Sequence, residues 1–232
     1  MYLKQNRIIL RQEDVKKAKK LTGTKIGACL GDSPYTSPFK VWLDITRVYK
    51  EPVLDNSHSK AGMVIEPKQA DFIESLGNKV VRPSDLYGDR PYYSTHGDFF
   101  KDEIFGGMWD YLGDNKVYEM KTVSEKKKEE WLNNGVPLYY QDQVALYCYL
   151  LKLTNYTLVA TFLPQSAYQE PDKFQPNAYN THEFNFKLTD KDIHNIEEAK
   201  DWYMKYVKTG ISPLIETKED IELANFLFHT KL

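Results

Sequence analysis

The sequence predicts a single α/β domain, a mixed central β-sheet flanked by helices, on three grounds. Its 232 residues suit one large core better than two, because a chain of this length buries most of its unfolded surface within one domain. Hydrophobic residues at 41% and aromatics at 14% set it apart from compositions that stay disordered. The apolar pattern also changes along the chain. It is helical over an N-terminal part of about 10–76, carries short β-branched and aromatic runs within a sheet core of about 77–190, and is helical again over about 190–232.

Gln12 to Lys20 is charged and helical in composition; Leu21-Thr22-Gly23-Thr24 breaks it and leaves Thr24 to cap a helix over Lys25–Leu30. Gly31-Asp32-Ser33-Pro34-Tyr35 reads as a turn. Ser37 as N-cap and Pro38 in the first turn start an amphipathic helix running to about Val48, with Phe39, Trp42, Leu43 and Ile45 on its apolar side. Met63, Ile65, Phe72, Ile73 and Leu76 are spaced for a buried stripe on a helix over Ser59–Leu76, in which Pro67 marks a kink or a fresh start. Strands are expected near Val80–Arg82, Tyr92–Phe100, Gly106–Tyr111 and Lys116–Lys121, the last two joined as a hairpin through Gly113-Asp114-Asn115. Ser124 then caps a charged helix, and Pro137 opens a long one through Leu151. Strands near Thr157–Leu163 and His182–Phe186 follow, with helices over Asp190–Val207 and Lys218–Phe228. Gln165–Thr181 is the one long loop.

Thirty-one Lys and Arg against 33 Asp and Glu give no global basic field, so any nucleic-acid site must be a local patch. Cys29 and Cys148 lie far apart and form no CxxC pair. They read as buried reduced thiols and cannot supply the four thiolates of an iron–sulfur centre. The N-terminus lacks a signal-peptide pattern and no run of about 20 apolar residues follows, so the expected location is the cytoplasm.

Chemistry concentrates in Met108-Trp109-Asp110-Tyr111-Leu112-Gly113-Asp114-Asn115-Lys116-Val117-Tyr118-Glu119-Met120-Lys121-Thr122. Residues two apart on a strand project to one side, so Glu119 and Lys121 point together, and the hairpin brings Asp110 alongside. Two adjacent carboxylates repel unless a cation lies between them, and a hard divalent ion with oxygen ligands suits such a pair. Mg2+ held by Asp110 and Glu119, with the Met120 backbone carbonyl as a further ligand and Mn2+ as a substitute, would serve phosphodiester hydrolysis. Lys121 would orient or deprotonate the attacking water, or stabilise transition-state charge. The plain alternative is a surface turn with a solvated ion pair. His96 reads as a packing residue, and Lys126-Lys127-Lys128 as a solvated helix face suitably placed for phosphate contacts.

Asp110 followed by Glu119-Met120-Lys121 resembles the PD-(D/E)XK nuclease core, without the proline that usually precedes the first aspartate. Ile26-Gly27-Ala28-Cys29-Leu30-Gly31-Asp32-Ser33-Pro34-Tyr35, with Ser37-Pro38 and Trp42, resembles the N-terminal signature of the YqaJ viral recombinase branch, the phage lambda exonuclease family. Gly62 with Glu66, and Tyr140-Gln141-Asp142-Gln143-Val144, match two further motifs of that branch in the right order, so the resemblance runs from about Lys17 to about Leu151.

The resemblance implies a restriction-endonuclease-like fold and a Mg2+-dependent exonuclease that degrades duplex DNA from an end, 5′ to 3′, in phage-type recombination. By the same resemblance Glu66 is a further acidic residue at the metal, and Gln143 positions water or phosphate. Lys17, with Lys20 and Thr24 beside a helix start, would contact a 5′-phosphate. A trimeric ring and a single-strand annealing protein as partner are implied as well. Two rival readings are an endonuclease with the same core and a catalytically silent DNA-end-binding scaffold. An intact Asp110, Glu119 and Lys121 set speaks against the scaffold, which has no use for repelling carboxylates.

Overall fold

The computed structural model describes residues 1–52, 57–88, 99–113 and 115–229. The chain enters as a hairpin of β1 (Tyr2–Lys4) and β2 (Arg7–Ile9), turned by Gln5 and Asn6, both at positive φ. The helix expected over Gln12–Lys20 is a single 3-10 turn, Gln12–Asp14. Beyond it the backbone finds tertiary partners instead: the Lys19 N–H donates to the Ile45 carbonyl, and the Lys19 and Lys25 ammonium groups converge on Asp44.

A short strand, β3 (Leu21–Thr22), leads directly into α1 (Gly23–Leu30). Thr22 therefore occupies the N-cap, without a side-chain capping bond, and Thr24 lies inside the first turn. In α2 (Pro38–Ile45) the Ser37 hydroxyl accepts the Lys40 N–H at 3.2 Å, as its sequence signal predicts. The helix stops at Ile45, before Arg47 turns the chain at φ 60°. Pro67 neither ends nor restarts α3 (Ser57–Ser75). The carbonyl it deprives of a partner is that of Met63, a residue on the solvent side, where water can replace the lost bond. Just before α4 (Pro83–Tyr87), the strand expected at Val80–Arg82 is found to be one isolated bridge, in which Val81 and Leu112 exchange both backbone hydrogen bonds. Most of the strand expected over Tyr92–Phe100, with His96, lies outside the described residues.

The strand expected at Gly106–Tyr111 is split into β4 (Phe105–Gly106) and β5 (Tyr111–Gly113). Gly107, at φ 118°, breaks it, and a Cβ there would stand 2.9 Å from the Tyr147 ring. β6 (Lys116–Ser124) is followed by a 3-10 turn over Glu125–Lys127 and by α5 (Lys128–Asn134) and α6 (Leu138–Leu151). β7 (Asn155–Leu163) comes next. The segment expected as loop contains α7 (Gln165–Gln169) and a 3-10 turn, before β8 (Thr181–Lys187). α8 (Asp190–Trp202) opens on a Thr189/Asp192 capping box and runs into a π turn at Tyr203–Val207; α9 (Lys218–His229) closes the described chain.

The central sheet has the order β5-β6-β7-β8, with β6 and β7 parallel and both outer pairs antiparallel, so it is mixed. Parallel neighbours need a crossover, which α5 and α6 supply. Alternation on β6 divides its side chains between two cores: Val117 and Val123 pack with Val144, Ala145 and Tyr147 of α6, while Tyr118 and Met120 pack with Ala70 and Ile73 of α3. A third core joins α1, α2, α8 and α9 through Ile26, Trp42, Ile196 and Leu227. Cys29 and Cys148 are free and buried, and among the described residues no helix is long and apolar enough to cross a membrane.

Candidate active site

β6 places Glu119 and Lys121 on the face that meets α6, and continuing the Tyr111↔Tyr118 register by one step sets Asp110 across from Glu119. Asp110 does not extend the ladder. Its Oδ2 accepts the Met120 N–H at 2.8 Å, so a carboxylate takes the place of the next strand residue. In a strand the N–H and C=O of one residue point to the same neighbour, so the Met120 carbonyl also turns toward Asp110.

The Lys121 ammonium donates to Glu119 Oε1 at 2.7 Å and to Gln143 Oε1 at 3.1 Å, and Gln143 Nε2 donates to the same Glu119 oxygen. Glu119 is only 2% exposed, and among the described residues its second oxygen, Oε2, has no hydrogen-bond partner. One face of α6 thus carries Tyr140, Gln143 and Tyr147 at successive turns: the Tyr140 ring centre is 5.3 Å from Lys121 Nζ, and Tyr147 is buried beside the carboxylates.

Burial, reinforced by the Asp110 charge and opposed by Lys121, pushes the Glu119 carboxyl up to about 8. Burial likewise raises Asp110, against the pull of Lys121 and the Met120 N–H. On α3, burial and then Asp110 push Glu66 up to about 7, with Arg82 and Lys121 opposing. Burial alone would lower the Lys121 pKa, but Glu119 and Asp110 outweigh it and hold the ammonium above its ordinary range. Among the described residues no three acidic, His or Cys side chains stand close enough to form a complete metal cage. Asp110 and Glu119 supply two carboxylates, and Glu66 acts on them at longer range.

The structure therefore brings together Asp110, Glu119, Lys121 and Gln143, with Glu66 at the margin. The expected phosphate contacts are more dispersed. Gly23, at the start of α1, lies against the Gln143 carbonyl and the Tyr147 hydroxyl, where a Cβ would come within 2.9 Å of each. Thr24 is exposed in that first turn, its hydroxyl 3.0 Å from that of Thr22. Lys20 donates to the Phe100 carbonyl, and exposed Lys17 offers its own carbonyl to Arg47.

Three contributors were not singled out in the sequence. Gln69, buried on α3, donates to the carbonyls of Lys121 and Val159 and to the Thr161 hydroxyl, pinning β6 to β7 behind the site. Its signal is an amide at the middle of the buried Ile65, Gln69, Ile73 spacing. Tyr147, one turn beyond Gln143, had the same kind of signal. Arg82, which opposes the charge of Glu66 and lies over the Tyr111 ring at 5.4 Å, had none.

The family model for the YqaJ-like viral recombinase domain matches residues 14–156. The Mycoplasma genitalium protein MG373 is 27% identical, the match covering 88% of this chain and 86% of that protein; its Mycoplasma pneumoniae homologue is 25% identical over 92% and 91%. Among solved structures, the alkaline exonuclease LHK-Exo from Laribacter hongkongensis aligns with a TM-score of 0.56 at 16% identity, covering 82% of this chain and 88% of that one. Its complex with dAMP gives 0.56 at 18%, covering 80% and 87%. A phage related exonuclease from Haemophilus somnus 129PT gives 0.54 at 12%, covering 82% and 96%. At these identities the structural likeness concerns the fold.

Proposed function

Because the chain belongs to the YqaJ-like viral recombinase domain family, we propose that it is a metal-dependent deoxyribonuclease that hydrolyses phosphodiester bonds of duplex DNA from an end. The observation that carries this reading is the buried array in which Lys121 and Gln143 converge on one oxygen of Glu119 while Oε2 is left free beside Asp110. A fold that held such an array for stability alone would bury repelling carboxylates at a cost and gain nothing from it.

The donor set fits Mg2+, or Mn2+ in its place: this ion binds through one or two carboxylates and keeps several waters, so a complete protein cage is not required. Asp110, Glu119 and the Met120 carbonyl would hold it, with Glu66 drawn in from α3. When bound, the ion supplies Lewis-acid polarisation of the scissile phosphoryl group. Lys121, which Glu119 and Asp110 hold cationic in the metal-free site, orients the attacking water and stabilises charge building on the phosphate. Gln143 fixes the rotamers of Glu119 and Lys121 through its amide.

Degradation from 5′ to 3′ in phage-type recombination, with a single-strand annealing protein as partner, is the setting we propose. A net charge of −2 gives weak long-range attraction for a polyanion, so a closed ring of three copies enclosing the duplex is the proposed assembly. The test is degradation with Mg2+ of linear against closed circular duplex, and of 5′-phosphorylated against unphosphorylated ends. Loss of linear DNA only, faster with the 5′-phosphate, is expected. Cutting of the circle would make the enzyme an endonuclease, and no cutting of any substrate would overturn the reading.

A further inference from the structure

Tyr35 is 76% exposed, yet it is not an isolated surface ring. Its ring stands edge-on to Tyr139 with centroids 6.0 Å apart, Tyr139 lies 4.4 Å from Tyr140, and Tyr140 is the ring beside the Lys121 ammonium. Three aromatic side chains thus form an unbroken file from solvent to the reacting end of the candidate site.

The file is held in place from behind. The Cα and Cβ of Tyr139 press on Gly27 of α1, where an added Cβ would come within 2.7 Å of both. Tyr140 rests on Trp131 at 5.5 Å, which is itself wedged against Phe162 and Phe184. The turn carrying Tyr35 is pinned by its own N–H, which donates to the Ser33 hydroxyl at 3.2 Å. A basic group lies beside the outermost ring: Lys127, ion-paired with Glu130 at 2.7 Å, is near enough to Tyr35 to interact with it electrostatically. Aromatic faces beside lysines match the needs of an unpaired strand: bases stack on rings whatever their sequence, and phosphates are met by ammonium groups.

We infer that Tyr35, Tyr139 and Tyr140 are a stacking track that holds unpaired terminal nucleobases of the strand being cut and delivers the adjoining phosphodiester to Lys121. The inference rests on the nuclease reading and adds to it the side chains that grip the end of the strand. Tyr35 is the outermost positioning residue. It touches no reacting group, so its part is to set how well the strand is gripped, not how fast the bond breaks.

The test compares steady-state cleavage of linear duplex whose last nucleotides on the cut strand are natural or abasic, by wild type, Tyr35→Ala, Tyr35→Trp and, as an exposed-ring control, Tyr2→Ala. Removing one stacked base is expected to raise KM about tenfold. Tyr35→Ala should show that rise on natural ends with kcat within about twofold of wild type, Tyr35→Trp should restore KM, and Tyr2→Ala should leave it unchanged. Abasic ends should raise KM for wild type but add little for Tyr35→Ala, because both changes remove the same contact. Equal KM effects of Tyr35→Ala on natural and abasic ends, a fall in kcat that Trp does not rescue, or no effect at all would overturn the track while wild-type cleavage upheld the nuclease. If wild type cuts no DNA, the nuclease reading fails first and the track falls with it.

Discussion

Asp110 accepts the backbone N–H of Met120 at 2.8 Å, so the residue that interrupts the β5–β6 ladder is also the residue that brings a second carboxylate to Glu119. This bond separates geometry from charge. Asp110→Asn keeps an oxygen for the Met120 N–H but removes the anion. It should fold normally and lose at least about a hundredfold in cleavage rate, as should Glu119→Gln and Lys121→Met, since the three act as one unit. Circular dichroism with a single-turnover assay measures both, and normal turnover in any of the three would show that the site lies elsewhere.

Gln143 reaches both Glu119 and Lys121 but offers no charge. Gln143→Ala is expected to reduce kcat about 10- to 100-fold, a range typical of residues that orient the primary ligands. Gln143→Leu, which fills the space without the amide, should be no better. Rescue by Leu would mean that the side chain only packs.

Metal binding should be visible without turnover. Filling the carboxylate pair relieves its repulsion, and a ligand that binds only the native state stabilises it. The melting temperature should rise with Mg2+ or Mn2+ in wild type and not in Glu119→Gln. An equal rise in both would place the ion away from Glu119.

The pH dependence of stability has a definite sign. Glu119 and Glu66 are pushed from the usual 4.5 to about 8 and about 7, so across that window the folded chain holds protons that the unfolded chain has released. Their contribution is fully present below about pH 4.5 and is lost as the pH rises through 7 to 8. Metal-free protein should therefore melt several degrees lower at about pH 8.5 than at about pH 5, Glu119→Gln should flatten the slope, and Mg2+ should oppose it. Melting temperatures that climb over this range in metal-free buffer would refute the assignment of raised carboxyls.

Two glycines of the family-like motifs should behave oppositely. A Cβ on Gly27 would stand 2.6 Å from the Tyr139 Cβ, whereas at Gly62 the nearest atom is the Thr122 hydroxyl at 3.5 Å. Gly27→Ala is expected to cost about 1–3 kcal/mol by overpacking α1 against α6. Gly62→Ala should be neutral or stabilising by up to about 1 kcal/mol, through helix propensity. Urea midpoints at constant slope separate the two.

The sequence by itself determined the elements whose signals are local. Ser37-Pro38 started a helix, the residues from Lys116 onward alternated as a strand and emerged as β6, and the spacing of Glu119 and Lys121 put both on one face because strand geometry leaves no other choice. Tertiary structure decided whatever depended on partners distant in sequence. The lysines after Gln12 lost their helix to the Ile45 carbonyl and to Asp44. Gly107 split an expected strand to admit Tyr147, and Pro67 stayed inside α3, where the carbonyl it frees belongs to the exposed residue Met63. The free energy of a buried carboxylate is likewise set by what surrounds it. Residue type and spacing placed Asp110 beside Glu119, but only the packing of α3 and α6 around them left Glu119 Oε2 unpartnered and Lys121 cationic.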